Sequence, residues 1–246
     1  MKRVLKIAVP LVVWLAVWQI AAVGVGQAYI LPSPAAVMGA LSTLVGTALF
    51  WQSAGMTLLR VFGGFLLGTL LGAALGAGRF AAPWCDWLFS PLVKIIRAVP
   101  VVCFILWVLL WRPTDQVPLV VSALMVIPVV WGNTRQGLSS TDPLLLELAQ
   151  AYRFGRWKTA WLVYGPSALP AFASGCETAL GLAWKAGVAA EVLCLPRLAV
   201  GSQVAFSRNY LDTPDLLAWT VLIVALSWLT ERLAHIPLRR LGRVKR

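Results

Sequence analysis

Residues 56–78 read MTLLRVFGGFLLGTLLGAALGAG, an apolar run in which Arg60 is the one charged residue. A helix needs about 20 consecutive, mostly apolar residues to cross a lipid bilayer, so this run predicts a membrane-spanning helix. The whole chain has the same character. Of its 246 residues 60% are hydrophobic and 12% are charged, against about 45–50% and about 25% in an ordinary soluble domain. We therefore expect an all-α polytopic membrane protein that forms a single domain over residues 1–246.

Further apolar runs divide the chain into about six predicted spans. Two prolines in residues 29–34 break the helix after the first span, and a weak amphipathic helix at the outer surface is predicted over residues 35–50. Pro91 and Pro100 interrupt the third span, and a turn at residues 112–116 follows it. The predicted spans cover residues 7–24, 56–78, 87–111, 117–131, 168–195 and 216–229.

The basic residues predict how the chain is oriented in the membrane. The formal net charge is +12, and the lysines and arginines lie mostly between and beyond the apolar runs. With the N-terminus in the cytoplasm, only Arg112, Arg197 and Arg208 fall at external positions outside the spans. Cytoplasmic loops carry an excess of basic residues, so both termini are predicted to be cytoplasmic. Because topology accounts for the positive charge, we expect no nucleic-acid partner.

The second predicted span carries glycines at every fourth position, namely Gly64, Gly68, Gly72 and Gly76. Small residues at this spacing form a stripe along which helix backbones approach closely in lipid. Close packing within one bundle explains the stripe, and so does a subunit interface or a moving joint. The sequence leaves these interpretations open.

Residues 136–165 form the longest polar stretch and are predicted to lie on the cytoplasmic side. Asp142 is a good N-cap and Pro143 suits the first helical position, so a helix is predicted to begin there. Glu147 lies in the early part of this helix, where its negative charge interacts favourably with the positive end of the helix dipole.

A second helical piece is predicted over residues 156–164, after a turn that Gly155 permits. Pro166 and Pro170 are expected to close it. The resulting hairpin has apolar residues beside basic ones. A hairpin of this kind can lie on the membrane surface, and its residues alone do not exclude that interpretation.

This stretch is similar to the E-A-A loop of permease subunits in binding-protein-dependent ATP-binding-cassette (ABC) importers. The glycine of that motif corresponds here to Arg153, and the nearest glycine is Gly155, so the resemblance leaves two places for the turn. The residues that carry the resemblance are Glu147-Leu148-Ala149, Trp157, Pro166 and Leu169-Pro170.

Five further segments resemble the nitrate/sulfonate/taurine-type branch of these permeases. They occur in the family's order and cover nearly the whole chain. The segments are LPSP at residues 31–34, LRVFGGF at 59–65, RAVP at 97–100, AWKAGVAAE at 183–191 and YLDTPDLLAW at 210–219.

The resemblance implies a type I ABC importer permease (MetI-like) architecture in a bacterial inner membrane. It also implies an ABC ATPase subunit dimer, an extracytoplasmic substrate-binding protein and a second permease chain, as a homodimer. ATP would be bound by the partner subunits, and the chain has no G-x-x-x-x-G-K-[ST] loop of its own. The implied substrate is small and anionic or polar, such as a sulfonate, taurine or nitrate. The residues expected to couple to the ATPase are Glu147, Leu148, Ala149, Phe154, Gly155, Arg156 and Trp157.

Charged residues inside predicted spans are the candidates for the translocation pathway: Lys94, Arg97, Lys185 and Glu191. A charge at the bilayer centre costs about 2.5–3.5 kcal/mol on insertion scales, so such residues face a cavity, pair or snorkel. A structural ion pair is an equal alternative for the last two. Arg60, near the outer end of its span, is expected to snorkel.

Two other functional classes were considered. A self-contained secondary transporter or channel is favoured by inverted repeats, and no clear internal repeat is visible. An intramembrane enzyme needs a catalytic constellation, whereas the single histidine, His235, lies near the basic tail. The four cysteines do not have metal-ligand spacing, so we expect no metal site, no catalytic site and no cofactor.

Overall fold

A computed structural model describes the backbone of residues 2–81 and 83–242 and the side chains of residues 9–78, 84–85 and 87–237. The fold is all-helical, with 85% of the described residues in helices. The helices are α1 (Lys2–Val25), α2 (Pro34–Val45), α3 (Ala48–Ala81), α4 (Pro83–Ala98), α5 (Val101–Leu109), α6 (Val117–Ser139), α7 (Pro143–Ala151), α8 (Arg156–Thr159), a π-helical segment (Ala160–Tyr164), α9 (Gly165–Cys194), α10 (Val200–Asn209) and α11 (Thr213–Gly242).

Three helices of the described chain are long and apolar enough to cross a membrane, within Ala48–Gly78, Val117–Ser139 and Thr213–Pro237. A fourth span results if Trp87–Ala98 and Val101–Leu109, which are bent by 103° at their break, are counted as one. The first and fifth predicted spans fall in α1 and α9. The part of α1 whose side chains are described, Val9–Val25, is a shorter apolar helix, and α9 is not among the helices that meet the criterion of length and hydropathy. The count of six spans therefore stays a prediction.

The core is built where α6 packs between α3 and α9. Buried apolar side chains from all three helices meet there, among them Val61, Val126 and Ala183. A second buried cluster joins α5 to α6 and α9 through Ile105, Val121 and other residues. α9 is thus the helix around which the others are arranged, and only part of its surface is left open.

The glycine stripe lies against α6 of the same chain. A Cβ atom added at Gly68 would lie 2.6 Å from the carbonyl oxygen of Ala123, and one added at Gly76 would lie 2.9 Å from the Cβ of Thr134. Only glycine allows the two backbones to come this close. The stripe therefore serves close packing within one bundle, and its interpretation as a subunit interface is wrong.

Two predicted boundaries differ from the structure. The surface helix ends at Val45, and a new helix begins at Ala48, where the hydroxyl of Thr47 accepts the backbone N–H of Phe50 at 3.3 Å. In the third predicted span the helix continues through Pro91, and the break falls at Pro100 alone. Pro100 precedes α5, where its missing N–H removes no helical hydrogen bond.

Candidate functional site

The first helix of the predicted hairpin has the predicted cap. The Asp142 carboxylate accepts the backbone N–H of Leu144 at 2.9 Å, and Pro143 occupies the first turn of α7. Ala149 is buried on the inner side of this helix, whereas Leu144 and Leu148 are exposed. A capped helix with apolar side chains turned outward is a rigid element that is ready to contact another surface.

The turn of the hairpin lies at Arg153. This residue has φ of 54°, the left-handed conformation that glycine adopts most readily. The N–H of Phe154 donates to the carbonyl of Ala149 at 2.8 Å, and the N–H of Arg153 donates to that of Gln150 at 2.9 Å. These two bonds form a Schellman motif. The turn is therefore not shifted to Gly155: the position of the motif glycine keeps its conformation with an arginine in place.

The second piece of the hairpin is not closed by prolines, contrary to the prediction. α8 continues through the π-helical segment into α9, so the helical backbone runs unbroken from Arg156 to Cys194. The N–H of Gly165 donates to the carbonyl of Ala160, five residues earlier. Pro166 follows directly, at the point where the backbone changes from π-helical to α-helical hydrogen bonding, so its missing N–H is tolerated. Pro170 lies inside α9.

The exposed side of the hairpin is rich in aromatic side chains. Trp157 is 83% exposed, and Tyr152 and Trp161 are similarly exposed. Glu147, Gly155 and Arg156 are also exposed. Phe154 is half-buried, and the ammonium of Lys158 lies 4.2 Å from its ring centroid. We call the exposed side chains Leu144, Glu147, Leu148, Tyr152, Arg156, Trp157 and Trp161 the hairpin surface.

Three members of the hairpin surface, Leu144, Tyr152 and Trp161, are outside the set of residues that the sequence predicted to couple to the ATPase. For Tyr152 and Trp161 the signal was present, since both are aromatic residues within the same basic stretch. What the sequence could not show is that the π-helical segment leaves Trp161 on the open side.

Arg60 does not snorkel, contrary to the prediction. Its side chain is 4% exposed, and its guanidinium donates to the Asp115 carboxylate at 2.8 Å. It also donates to the carbonyl oxygens of Asp115, Arg197 and Leu198 at 2.8–3.1 Å. One side chain of α3 thus fastens the turn before α6 to the turn after α9. The partners are far away in sequence, which is why the local pattern suggested a free arginine.

Glu191 is fully buried and belongs to the same network. Its Oε1 lies 3.5 Å from Arg60, and its Oε2 accepts the hydroxyl of Thr57 at 2.9 Å and the N–H of Gly201 at 3.1 Å. The structural ion pair considered for Glu191 is therefore with Arg60 and not with Lys185. A buried carboxylate with these partners fixes helices in place and does not border open space in this structure.

The remaining pathway candidates lie on two different helices. Lys94 and Arg97 are both exposed on α4, while their neighbours Val93 and Ile96 are buried. The guanidinium of Arg97 donates to the carbonyl of Pro128 in α6 at 2.9 Å. Lys185 is exposed on α9.

Where α9 and α11 meet, a shallow recess contains several charged groups. His235 Nδ1 lies 2.6 Å from Glu177 Oε1, and the two side chains are about equally exposed. Glu231 hydrogen-bonds Ser227 at 3.2 Å, and the Arg232 guanidinium lies over the ring of Trp228. These groups satisfy one another in pairs.

The fold is similar to that of chains in two solved ABC transporter structures. The chain superimposes on a chain of an amino acid ABC transporter solved with histidines, with a TM-score of 0.65 over 82% of this chain and 97% of that chain, at 18% identity. It superimposes on the inward-facing MetNI methionine ABC transporter with a TM-score of 0.59 over 78% and 93%, at 20% identity. The MetI-like fold is therefore confirmed.

Residues 64–242 match the family described as binding-protein-dependent transport system inner membrane component, and the chain belongs to this family. The taurine transport permease TauC of Escherichia coli K12 is 27% identical, over 92% of this chain and 82% of its own length. The riboflavin transport permease RibX of Chloroflexus aurantiacus is 30% identical, over 93% and 88%. SsuC of E. coli K12, named for transport of aliphatic sulfonates, is 31% identical, over 86% and 80%.

The family and the branch that the motifs indicated are thus confirmed, and the chain is an ABC permease of the nitrate/sulfonate/taurine type. It is a multi-pass inner-membrane component.

Proposed function

We propose that this chain is the membrane subunit of an ABC importer and forms the translocation pathway for a small anionic or polar substrate. Residues 1–246 act as one transmembrane domain with six spans and both termini in the cytoplasm. Two copies pair, an ATPase dimer hydrolyses ATP, and an extracytoplasmic binding protein delivers the substrate. The names of TauC and SsuC point to taurine and sulfonates, and a sulfonate carries a negative charge near neutral pH.

The hairpin surface is the observation that carries this proposal. An aromatic and leucine surface beside a glutamate and an arginine suits a protein groove, because buried aromatic anchors often dominate the energy of such interfaces. Docking of the ATPase would cover these side chains. The charged groups Glu147 and Arg156 would then fix the orientation of the two subunits.

Coupling also needs a mechanical connection between the hairpin and the translocation pathway. The unbroken helix from Arg156 to Cys194 supplies it, because a displacement of the docked hairpin acts on the same helix that forms the centre of the core. The Schellman motif at Arg153 and the cap at Asp142 hold the hairpin together, so it would move as a unit with its partner.

Replacing Trp157 with Ala tests this role. The truncation of a buried aromatic anchor costs about 2 kcal/mol or more, which is roughly a thirtyfold loss of affinity. We expect the variant to insert normally, to lose copurification of the ATPase subunit and to lose transport together with binding-protein-stimulated ATP hydrolysis. Trp14, which is 71% exposed on α1, provides the matched control. If the Trp157→Ala variant retains full ATPase association and transport, the hairpin surface is not the docking site.

The orientation has its own test. Single cysteines at Gln116 and Gln150, both exposed, are introduced into a chain whose four native cysteines are replaced. A membrane-impermeant maleimide added to spheroplasts should label the first and leave the second unlabelled until the membrane is opened. The reverse pattern would contradict the proposed topology.

A further inference from the structure

One face of α9 is open, although this is the central helix of the fold. The exposed or partly exposed residues Ser174, Thr178, Gly181 and Lys185 follow one another at intervals of four, three and four. Residues at these spacings lie on one face of a helix. The other faces carry the buried residues that contact α3, α5, α6 and α11. Glu177 and Leu182 are exposed beside this line, and the Glu231 carboxylate of α11 lies next to Gly181. The open face is therefore a stripe of mixed character, on which Lys185 is the one basic residue that α9 carries.

Lys185 lies at about the middle of the membrane. It precedes the end of α9 at Cys194 by nine residues, which is roughly 14 Å at 1.5 Å per residue. The hydrocarbon core is about 30 Å thick, so with the end of α9 at the outer surface Lys185 lies near its centre. This depth rests on the topology of the proposed function.

The other intramembrane candidates are already engaged or differently placed. Arg97 is bound to a carbonyl oxygen of α6, and Glu191 is buried with Arg60. Lys94 is exposed on α4, outside the central helix, beside Leu92 and Ile95. Among the residues whose side chains are described, none forms an ion pair or hydrogen bond with Lys185. An ammonium at this depth needs water or a counter-charge.

We propose that the open face of α9 lines the translocation pathway and that Lys185 is its contact for the anionic group of the substrate. This assignment rests on the proposed importer function and goes beyond it by naming the specificity-determining residue. Below Lys185 the stripe offers little to hold an anion, because the hydroxyl of Thr178 donates to the carbonyl of Ser174 at 3.1 Å. Lys185 is the one basic residue on this face of each copy, and a site with few contacts suits an anion that must bind and then leave.

The first experiment measures accessibility without knowledge of the substrate. A cysteine replaces Thr178 in a chain without native cysteines, coexpressed with its ATPase and binding protein in membranes. The probes are the anionic reagent 2-sulfonatoethyl methanethiosulfonate and its cationic trimethylammonium counterpart. We expect both reagents to label the Thr178→Cys variant and neither to label the Val224→Cys variant, since Val224 is exposed on the apolar middle of α11. If the cysteine at 178 is as unreactive as the one at 224, the face does not border water and the proposal is overturned.

The second experiment tests the charge. In the Thr178→Cys background, Lys185→Gln should lower the ratio of anionic to cationic labelling rates by about tenfold, because a positive charge about two turns away attracts the sulfonate. Lys185→Arg should keep the ratio. An unchanged ratio in Lys185→Gln would overturn the role of Lys185. Copurification of the ATPase subunit is measured in the same membranes. If the ATPase subunit does not copurify with the parent chain, the importer function is contradicted. If it copurifies but Lys185→Gln leaves the ratio of labelling rates unchanged, only the assignment of Lys185 is contradicted.

Discussion

The contact between α3 and α6 makes a sharp prediction, because two adjacent glycines differ in what surrounds them. A Cβ at Gly64 would lie 2.4 Å from the carbonyl oxygen of Leu119, 2.7 Å from the Cβ of Ser122 and 3.3 Å from the nitrogen of Ala123. A Cβ at Gly63 would meet only the Cδ1 of Leu119, at 3.4 Å. The first contact is with backbone, which cannot turn aside, and the second is with the end of a flexible side chain.

The expected magnitudes follow from these distances. In both variants, Gly→Ala removes a helix penalty of about 1 kcal/mol. At Gly64 the two helices must separate, and overpacking of this kind costs about 1–3 kcal/mol. The separation also disturbs Ser122, whose hydroxyl donates to the carbonyl of Ala183 in α9 at 3.0 Å. We therefore expect Gly64→Ala to unfold about 2 kcal/mol more easily than Gly63→Ala.

For a chain of this size, 1 kcal/mol corresponds to about 2–4 °C in Tm, so the two variants should differ by about 4–8 °C. The assay is thermal unfolding of the purified chain in detergent, followed by tryptophan fluorescence and by recovery of the monodisperse peak in gel filtration. Gly63→Ala should unfold at or above the Tm of the parent chain. If both variants unfold within 1 °C of each other, the close approach of α3 and α6 at this level is wrong.

Two more predictions concern the turns. Arg60→Met leaves the buried carboxylate of Glu191 without its counter-charge and should destabilise the chain by about 3–5 kcal/mol, measured as the loss of folded protein in detergent on heating. Arg112→Met, at an exposed arginine, is the control and should have no effect. Adding Glu191→Gln to Arg60→Met should recover part of the lost stability. Arg153→Gly should raise the stability of the hairpin by up to about 1 kcal/mol, because a non-glycine residue at positive φ is strained, and slower proteolysis between α7 and α8 would show it. Gly155→Ala should leave the proteolysis rate unchanged, since Gly155 has φ of −68° and no atom within 4 Å of an added Cβ; faster cleavage of Arg153→Gly than of the parent chain would contradict this account of the turn.

The sequence predicted those parts of the fold that depend on neighbouring residues. Apolar runs indicated where helices lie, and Asp142 with Pro143 indicated where one begins, because the capping bond spans two residues. The left-handed conformation of Arg153 was indicated only by its position, which is that of the glycine in the E-A-A motif. No local rule places an arginine in a left-handed turn.

The features that were mispredicted depend on distant partners. Arg60 looked like a snorkelling residue because its acceptors lie far along the chain, in turns that meet only after α3, α6 and α9 have packed. The glycine stripe gave the spacing of a close contact but not the helix that fills it. Pro166 and Pro170 indicated a helix end. The π-helical segment that accommodates Pro166 has no sequence signal comparable to a cap, and α9 continues through Pro170.

α9 is held in place at Glu191 near one end and is continuous with the hairpin at the other end. This arrangement has a consequence for the evolution of the chain. Each residue advances a helix by about 100°, so an insertion or deletion between these two fixed points would rotate one against the other. Trp184 or Gly187 would then turn outward and Lys185 would enter the core. Substitutions on the exposed side of this segment should be tolerated better than changes of its length, and homologous permeases are expected to align across it without gaps.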